Sequence, residues 1–147
     1  MANGWSIPPT AFADLIDEEV VKRVRVITMA LLNEVVLRSP VGNPSLWKDK
    51  NGKPRKAPPG YVGGRFRGSH IVSIGSPVYT VTNTVDPGGA DTINRGMAAL
   101  SGLEPYTQVF IQTNLPYAER IELGHSTQAA SGVYELAFVG VSEAYRE

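Results

Sequence analysis

The chain has 147 residues, 14 of them basic and 14 acidic, for a formal net charge of zero, and it has no cysteine. That length fits a single domain able to bury a core without cross-links. The charge balance excludes a globally basic nucleic-acid binder, and the missing thiols exclude disulfides and thiolate metal sites. The opening Met1-Ala2-Asn3-Gly4-Trp5 lacks the basic and apolar stretches of a signal peptide, and no apolar run approaches the roughly 20 residues of a membrane span. The expectation is a soluble cytoplasmic protein with no membrane partner.

In chain order, Thr10 reads as a helix N-cap, preceded by Pro8 and Pro9. A long helix over 11–38 follows from Phe12, Leu15, Ile16, Val20, Val24, Ile27, Leu31 and Val35, which recur in steps of three and four. Val21, Val26 and Val36 widen this stripe. Two readings stand: a helix laid on its own sheet, or one also covered by a neighbouring subunit. Pro40 stops the helix. Residues 40–68 then form a long extended basic arm, punctuated by the Asn51-Gly52 turn pair and by Pro58-Pro59-Gly60.

From residue 69 onward the pattern predicts a small antiparallel sheet with short helices. His70–Ile74 alternates as a strand, and Val78–Val85 is β-branched enough for a second. Thr92–Leu103 reads as a short helix weakened by Gly96, and Tyr106–Thr113 as a third strand. Tyr117–Leu123 gives a helical turn or two closed by Gly124. The last segment reads two ways. Val133, Leu136, Ala137, Val141 and Ala144 keep helical spacing with Ser131 as cap, while Tyr134, Leu136 and Phe138 alternate as in a strand. The sum is α+β: one domain over 1–147, with one long N-terminal helix packed on a small antiparallel sheet.

Catalytic motifs are missing: no phosphate-binding loop, dinucleotide fingerprint or nucleophile elbow. Only His70 and His125 offer imidazoles. Glu122 and His125 are three residues apart, but Gly124 ends the helix between them and no third ligand is evident. Glu119 and Glu122 share a helical spacing with Arg120 between them, which suits ion pairs better than a carboxylate pair in a cleft. No catalytic residue, metal or cofactor is therefore expected.

The arm carries the sharpest signal. Lys48, Lys50, Lys53, Arg55, Lys56, Arg65 and Arg67 fall within residues 48–67 against the single acid Asp49, a net +6 that leaves the remainder at −6. Such a split favours head-to-tail contact between copies and also permits contact with DNA phosphates. Trp47, Tyr61 and Phe66 interleave with the charges as candidate anchors in a partner's pocket. A solvated loop is the plain alternative.

Four phrases in order carry a resemblance. They are Arg38-Ser39-Pro40-Val41-Gly42; Gly63-Gly64-Arg65-Phe66-Arg67-Gly68-Ser69; a strand ending at Asn114; and Pro116-Tyr117-Ala118-Glu119-Arg120-Ile121-Glu122-Leu123-Gly124-His125. Over most of residues 11–140 the chain resembles the neck, or tail-completion, proteins of long-tailed bacteriophages. It departs from them in the longer basic stretch Lys48–Pro59. The resemblance implies a virion structural protein, assembled in the host cytoplasm into a homo-oligomeric ring of six or twelve copies at the neck. The ring would join the portal-side head adaptor to the tail terminator or tail tube. DNA would pass through its lumen without sequence-specific contact, and no catalysis is implied. Arm contacts are then expected from Trp47, Arg55, Tyr61, Arg65, Phe66 and Arg67, and a subunit or partner surface from Tyr117, Glu119 and Glu122. Joint replacement of Arg65 and Arg67 by Glu is expected to block assembly without unfolding the chain.

Two rival readings remain from the sequence. One is a tail terminator that caps the tail tube; the other is a small nucleic-acid-binding module that uses the arm. A hydrolase built on Glu119, Glu122 and His125 ranks last.

Overall fold

The computed structural model describes residues 8–124, 126–129 and 131–146. Helix α1 spans Pro9–Arg38, 30 residues, with Pro8 at the cap position and Pro9 in the first turn. It therefore begins before Thr10, whose side chain makes no capping bond. Proline suits the start, because its missing N–H would have no helical partner there. At 1.5 Å per residue α1 is about 45 Å long. It ends where Ser39 turns extended before Pro40.

Only the C-terminal part of α1 is buried, at Thr28, Leu32, Val35 and Val36. These side chains feed two clusters. Leu32 and Val36 pack with Val72 and Leu100, while Val35 packs with Phe66, Leu115, Ala129, Val133 and Ala137. The main partners of α1 are two helices, α2 (Ala90–Ala99) and α4 (Tyr134–Ala144), rather than the sheet alone. Gly96 permits the α1–α2 approach: a Cβ there would lie 2.3 Å from a methyl of Leu32. The glycine that weakens α2 as a helix is what lets it pack.

The sheet has two antiparallel strands, β1 (Ile71–Ile74) and β2 (Val109–Gln112), with Val72 opposite Ile111. The second strand expected at Val78–Val85 is absent among the described residues. That segment is pinned by side-chain amides instead. Gln112 accepts from the Val78 N–H and donates to the Val78 carbonyl, while Asn114 donates to the carbonyls of Val78 at 2.8 Å and Thr80 at 2.9 Å. β-Branching marks a half-buried surface, which here is met without a backbone ladder. The strand expected from Tyr106 starts only at Val109, since Tyr106 sits at φ +59.

Helix α2 starts earlier than its apolar spacing implied, because the Asp86 carboxylate caps it, accepting from the Gly89 and Thr92 amides and the Thr92 hydroxyl. Helix α3 is five residues, Ala118–Glu122, and Gly124 follows at φ +85 as the C-cap reading required. The last segment is helix α4, which decides between its two readings. The arm is not simply extended: a single bridge pairs Lys48 with Pro54, and Gly52 turns between them at φ +80. No helix among the described residues is long and apolar enough to cross a membrane.

Candidate partner groove at the base of the arm

Where α1 ends, the chain turns out through Pro40–Asn43 and returns through Gly63–Phe66. Between these strands of loop and α3 lies an open groove of about 420 Å³. Its walls include Trp47, Tyr61, Arg65, Phe66 and Tyr117, five of the nine contact residues read from the sequence, with Ile121 and Gln128 beside them. Segments 40–47, 61–66 and 117–121 thus converge although far apart in sequence.

Glycine makes the closure sterically feasible. A Cβ on Gly42 would sit 1.9 Å from the Tyr61 hydroxyl, and one on Gly63 would sit 2.3 Å from the Gly42 carbonyl oxygen. Gly64, at φ +114, would place a Cβ 2.5 Å from the Pro87 nitrogen. The aromatic wall is ordered by ring contacts: Trp47 meets Tyr61 edge-on at 4.8 Å, and Phe66 meets Tyr117 at 6.5 Å. Gln128 ties the far rim to the chain by pairing with both backbone groups of Val41.

Arg65 is the charge in this wall. Its Nη2 donates to Asn83 Oδ1 at 2.9 Å, and its Nε is buried without a partner. Burial pushes the Tyr117 phenol up from its ordinary range; the Arg65 charge opposes this and Tyr61 adds to it. Tyr117 is therefore a neutral donor beside a guanidinium. A groove with aromatic sides and one cation suits an apolar side chain flanked by a carboxylate or carbonyl.

The other four expected contacts lie elsewhere. Arg55 is exposed on the arm, and Glu119 is exposed on α3. Arg67 is drawn inward: it donates to the Ser39 carbonyl at 2.9 Å and the Pro87 carbonyl at 2.8 Å, closing the C-terminal end of α1. Glu122 is turned toward α4, where its carboxylate accepts three amide N–H groups, from Val133, Tyr134 and Glu135. That corrects Ser131 as the α4 cap. Burial alone would raise the Glu122 pKa, but the three amides overcome it and hold the carboxyl below its usual value. Phe66, although it edges the groove, is 5 % exposed and belongs to the core. Arg65 and Arg67 thus take different places: Arg65 lines the groove, while Arg67 bonds the end of α1.

Sequence reasoning missed a buried relay behind the groove. His70 Nε2 lies 2.6 Å from Ser39 Oγ, and His70 Nδ1 lies 2.7 Å from the Tyr134 hydroxyl. Ser39 Oγ donates to the Val35 carbonyl at 2.6 Å, so its single proton is committed. Nε2 must then carry the ring proton, and Nδ1 accepts from Tyr134. Burial lowers the His70 pKa to about 4, so the ring is neutral near pH 7. Burial, followed by the Glu122 charge, pushes the Tyr134 phenol up. Ser39 and His70 have a nucleophile–base spacing, but they are 1 % and 3 % exposed, which seals them from any substrate. The relay ties the end of α1 to β1 and α4. The sequence signal was Ser39 itself, standing in the Ser-Pro-Val-Gly phrase.

Among the described residues no three His, Asp or Glu side chains cluster as a metal site. His125, weighed as a ligand with Glu122, lies outside the described residues. No protein-family model matches this chain, and neither a curated protein nor a solved structure does.

Proposed function

We propose that this protein is a structural neck component of a long-tailed bacteriophage, working through surface complementarity in a ring between head and tail. The observation that carries this reading is convergence. Three of the four phrases that resemble the neck family contribute to one groove, through Pro40–Gly42, Gly64–Phe66 and Tyr117–Ile121. In this reading the groove receives a side chain of a neighbouring subunit or neck protein, with Trp47, Tyr61 and Tyr117 as aromatic contacts and Arg65 as the polar one. The ring would be homo-oligomeric, with the head adaptor on one side, the tail on the other and DNA in the channel.

The test is electron microscopy of a lysate from phage with an early stop codon in this gene. Full heads beside separate tails of normal length are the expected result. Tails of uncontrolled length would instead assign the protein as a tail terminator, and intact infectious particles would refute a part in assembly.

A further inference from the structure

We propose that residues 1–8 of one copy seat in the aromatic groove of a second copy, with Trp5 as the anchor and Pro8 at the rim. The proposal rests on the neck reading for the groove's place in a ring, and it names the chain segment that the groove receives.

The groove has the chemistry of a site for an extended chain. Leu46, Trp47, Tyr61, Tyr117 and Ile121 give it apolar and aromatic surface, and Leu46 and Tyr61 are exposed. Among the described residues the Trp47 indole N–H and the Tyr61 and Tyr117 hydroxyls have no hydrogen-bond partner. Of the Arg65 guanidinium only Nη2 is bonded, to Asn83. Donors thus stand along an apolar cleft. Polyproline-type backbone has no internal hydrogen bonds, so its carbonyls are free to accept from such donors while its side chains pack on the rings. A helix or a paired strand would arrive with its carbonyls already used.

The start of the chain matches this site. Pro8 holds φ −57 and ψ 146, which is polyproline geometry, and Pro8 and Pro9 are exposed. Pro9 enforces that geometry, since the residue before a proline is kept out of the helical region. Before Pro8 stand Met1-Ala2-Asn3-Gly4-Trp5-Ser6-Ile7, which lie outside the described residues and have no charged side chain. Trp5 is the residue type most suited to anchor such a contact, with a large ring and one donor. The arm's own proline pair is committed elsewhere. The Tyr61 amide donates to the Pro58 carbonyl at 3.1 Å, closing a turn through Gly60 at φ +77.

Reach decides that the contact is between copies. Pro40, just past the C-terminal end of α1, lines the groove, and Pro8 stands just before the first residue of the same helix. The 30 residues of α1 hold the two ends about 45 Å apart. Residues 1–7 span at most about 25 Å when fully extended. The segment therefore falls short of its own groove by roughly 20 Å. A ligand at one end of α1 and its site at the other make a heterologous contact, the kind that closes into rings.

The test uses the full chain carrying Trp5→Ala, which lacks the competing anchor and keeps Trp47 as its one tryptophan. A synthetic peptide of residues 1–10 is titrated in and followed by NMR at the Trp47 indole N–H. Saturable shifts at Trp47, Arg65 and Tyr117 are expected, and the same peptide with Trp5→Ala should bind about tenfold more weakly. In sedimentation velocity the wild type should self-associate as concentration rises, and Trp5→Ala should do so about tenfold less. Tyr117→Ala should behave as Trp5→Ala does. An equimolar mixture of the two should recover one-to-one heterodimers, since one keeps the groove and the other the segment. Circular dichroism checks each variant, and Arg65→Ala takes the place of Tyr117→Ala if the latter unfolds. An unmoved Trp47 signal overturns the proposal, as does equal binding of the two peptides or a wild type no more associated than Trp5→Ala. An unrelated proline-rich peptide that binds as tightly would also overturn it and assign the groove to a proline-rich partner protein. The stop-codon lysate tests the neck reading independently. A silent Trp47 signal with unjoined heads and tails would sink only this proposal, and peptide binding with intact particles would sink only the neck reading.

Discussion

Glu122 Oε2 accepts the backbone N–H of Tyr134 at 2.9 Å, across twelve residues of sequence. With the Val133 and Glu135 amides on the same carboxylate, one side chain from α3 serves as the N-terminal cap of α4. The negative charge also meets the positive end of the helix dipole. Gly132, at φ +85, makes the approach possible, because a Cβ there would come within 2.6 Å of the Glu122 carbonyl oxygen.

Glu122→Ala should lower stability by about 1–2 kcal/mol, the usual cost of a lost cap, and loosen α4 first. Amide exchange at Val133–Glu135 should rise before that in β1. The folded carboxyl pKa lies below its ordinary 4.5, so this contribution is present above pH 4.5 and lost as pH falls through the folded value. Equal exchange in both regions would remove Glu122 from the capping role.

His70 adds a separate acid dependence. Its pKa is about 4 in the fold against 6.5 for the ordinary imidazole. The unfolded chain thus takes up the proton first as pH falls. Stability from the neutral ring is complete above pH 6.5 and declines toward pH 4, by on the order of 3 kcal/mol in all. Urea unfolding between pH 7 and pH 4.5 should show this slope, and His70→Asn should be weaker at pH 7 but flatter across the interval. A wild type as flat as the variant would mean the ring is not held neutral.

Arg65 and Arg67 should separate cleanly. Arg67→Ala leaves the Ser39 and Pro87 carbonyls without their charged donor and should cost about 2–3 kcal/mol. Arg65→Ala removes one bond to Asn83 and should cost under about 1 kcal/mol while impairing phage assembly. Thermal melts of the two variants, with plaque counts, decide this. Comparable melting temperatures would contradict the assignment of Arg67 to the fold.

Gly64→Ala and Gly52→Ala form a matched pair, since both glycines have positive φ, +114 and +80. Nothing lies within 4 Å of a Cβ on Gly52, so only backbone strain of about 1 kcal/mol applies there. At Gly64 the added atom also strikes the Pro87 backbone 2.5 Å away, and a loss of about 3 kcal/mol or more is expected. Denaturant midpoints of the two variants give the comparison.

Much of the architecture was readable locally. Steps of three and four placed α1, Pro40 ended it, and the ease with which Gly124 takes positive φ closed α3, because helix period and chain stops are properties of neighbouring residues. The aromatic and cationic residues of the arm also stood out by composition, and five of the nine expected contacts came together in one groove. What failed were features whose cause lies far off in sequence. Val78–Val85 has strand composition, but Gln112 and Asn114 hold it as a side-chain-pinned segment. Ser131 looked like a cap until Glu122 took its place. Arg67 matched its neighbours in charge and was separated from them only by carbonyls that the end of α1 presents. Sequence alone determined where α1 and α3 stop and which segment carries the basic charge. Only the tertiary structure decided which polar groups were spent inside the fold, because a hydrogen bond depends on three-dimensional distance and burial, and neither is set by position along the chain.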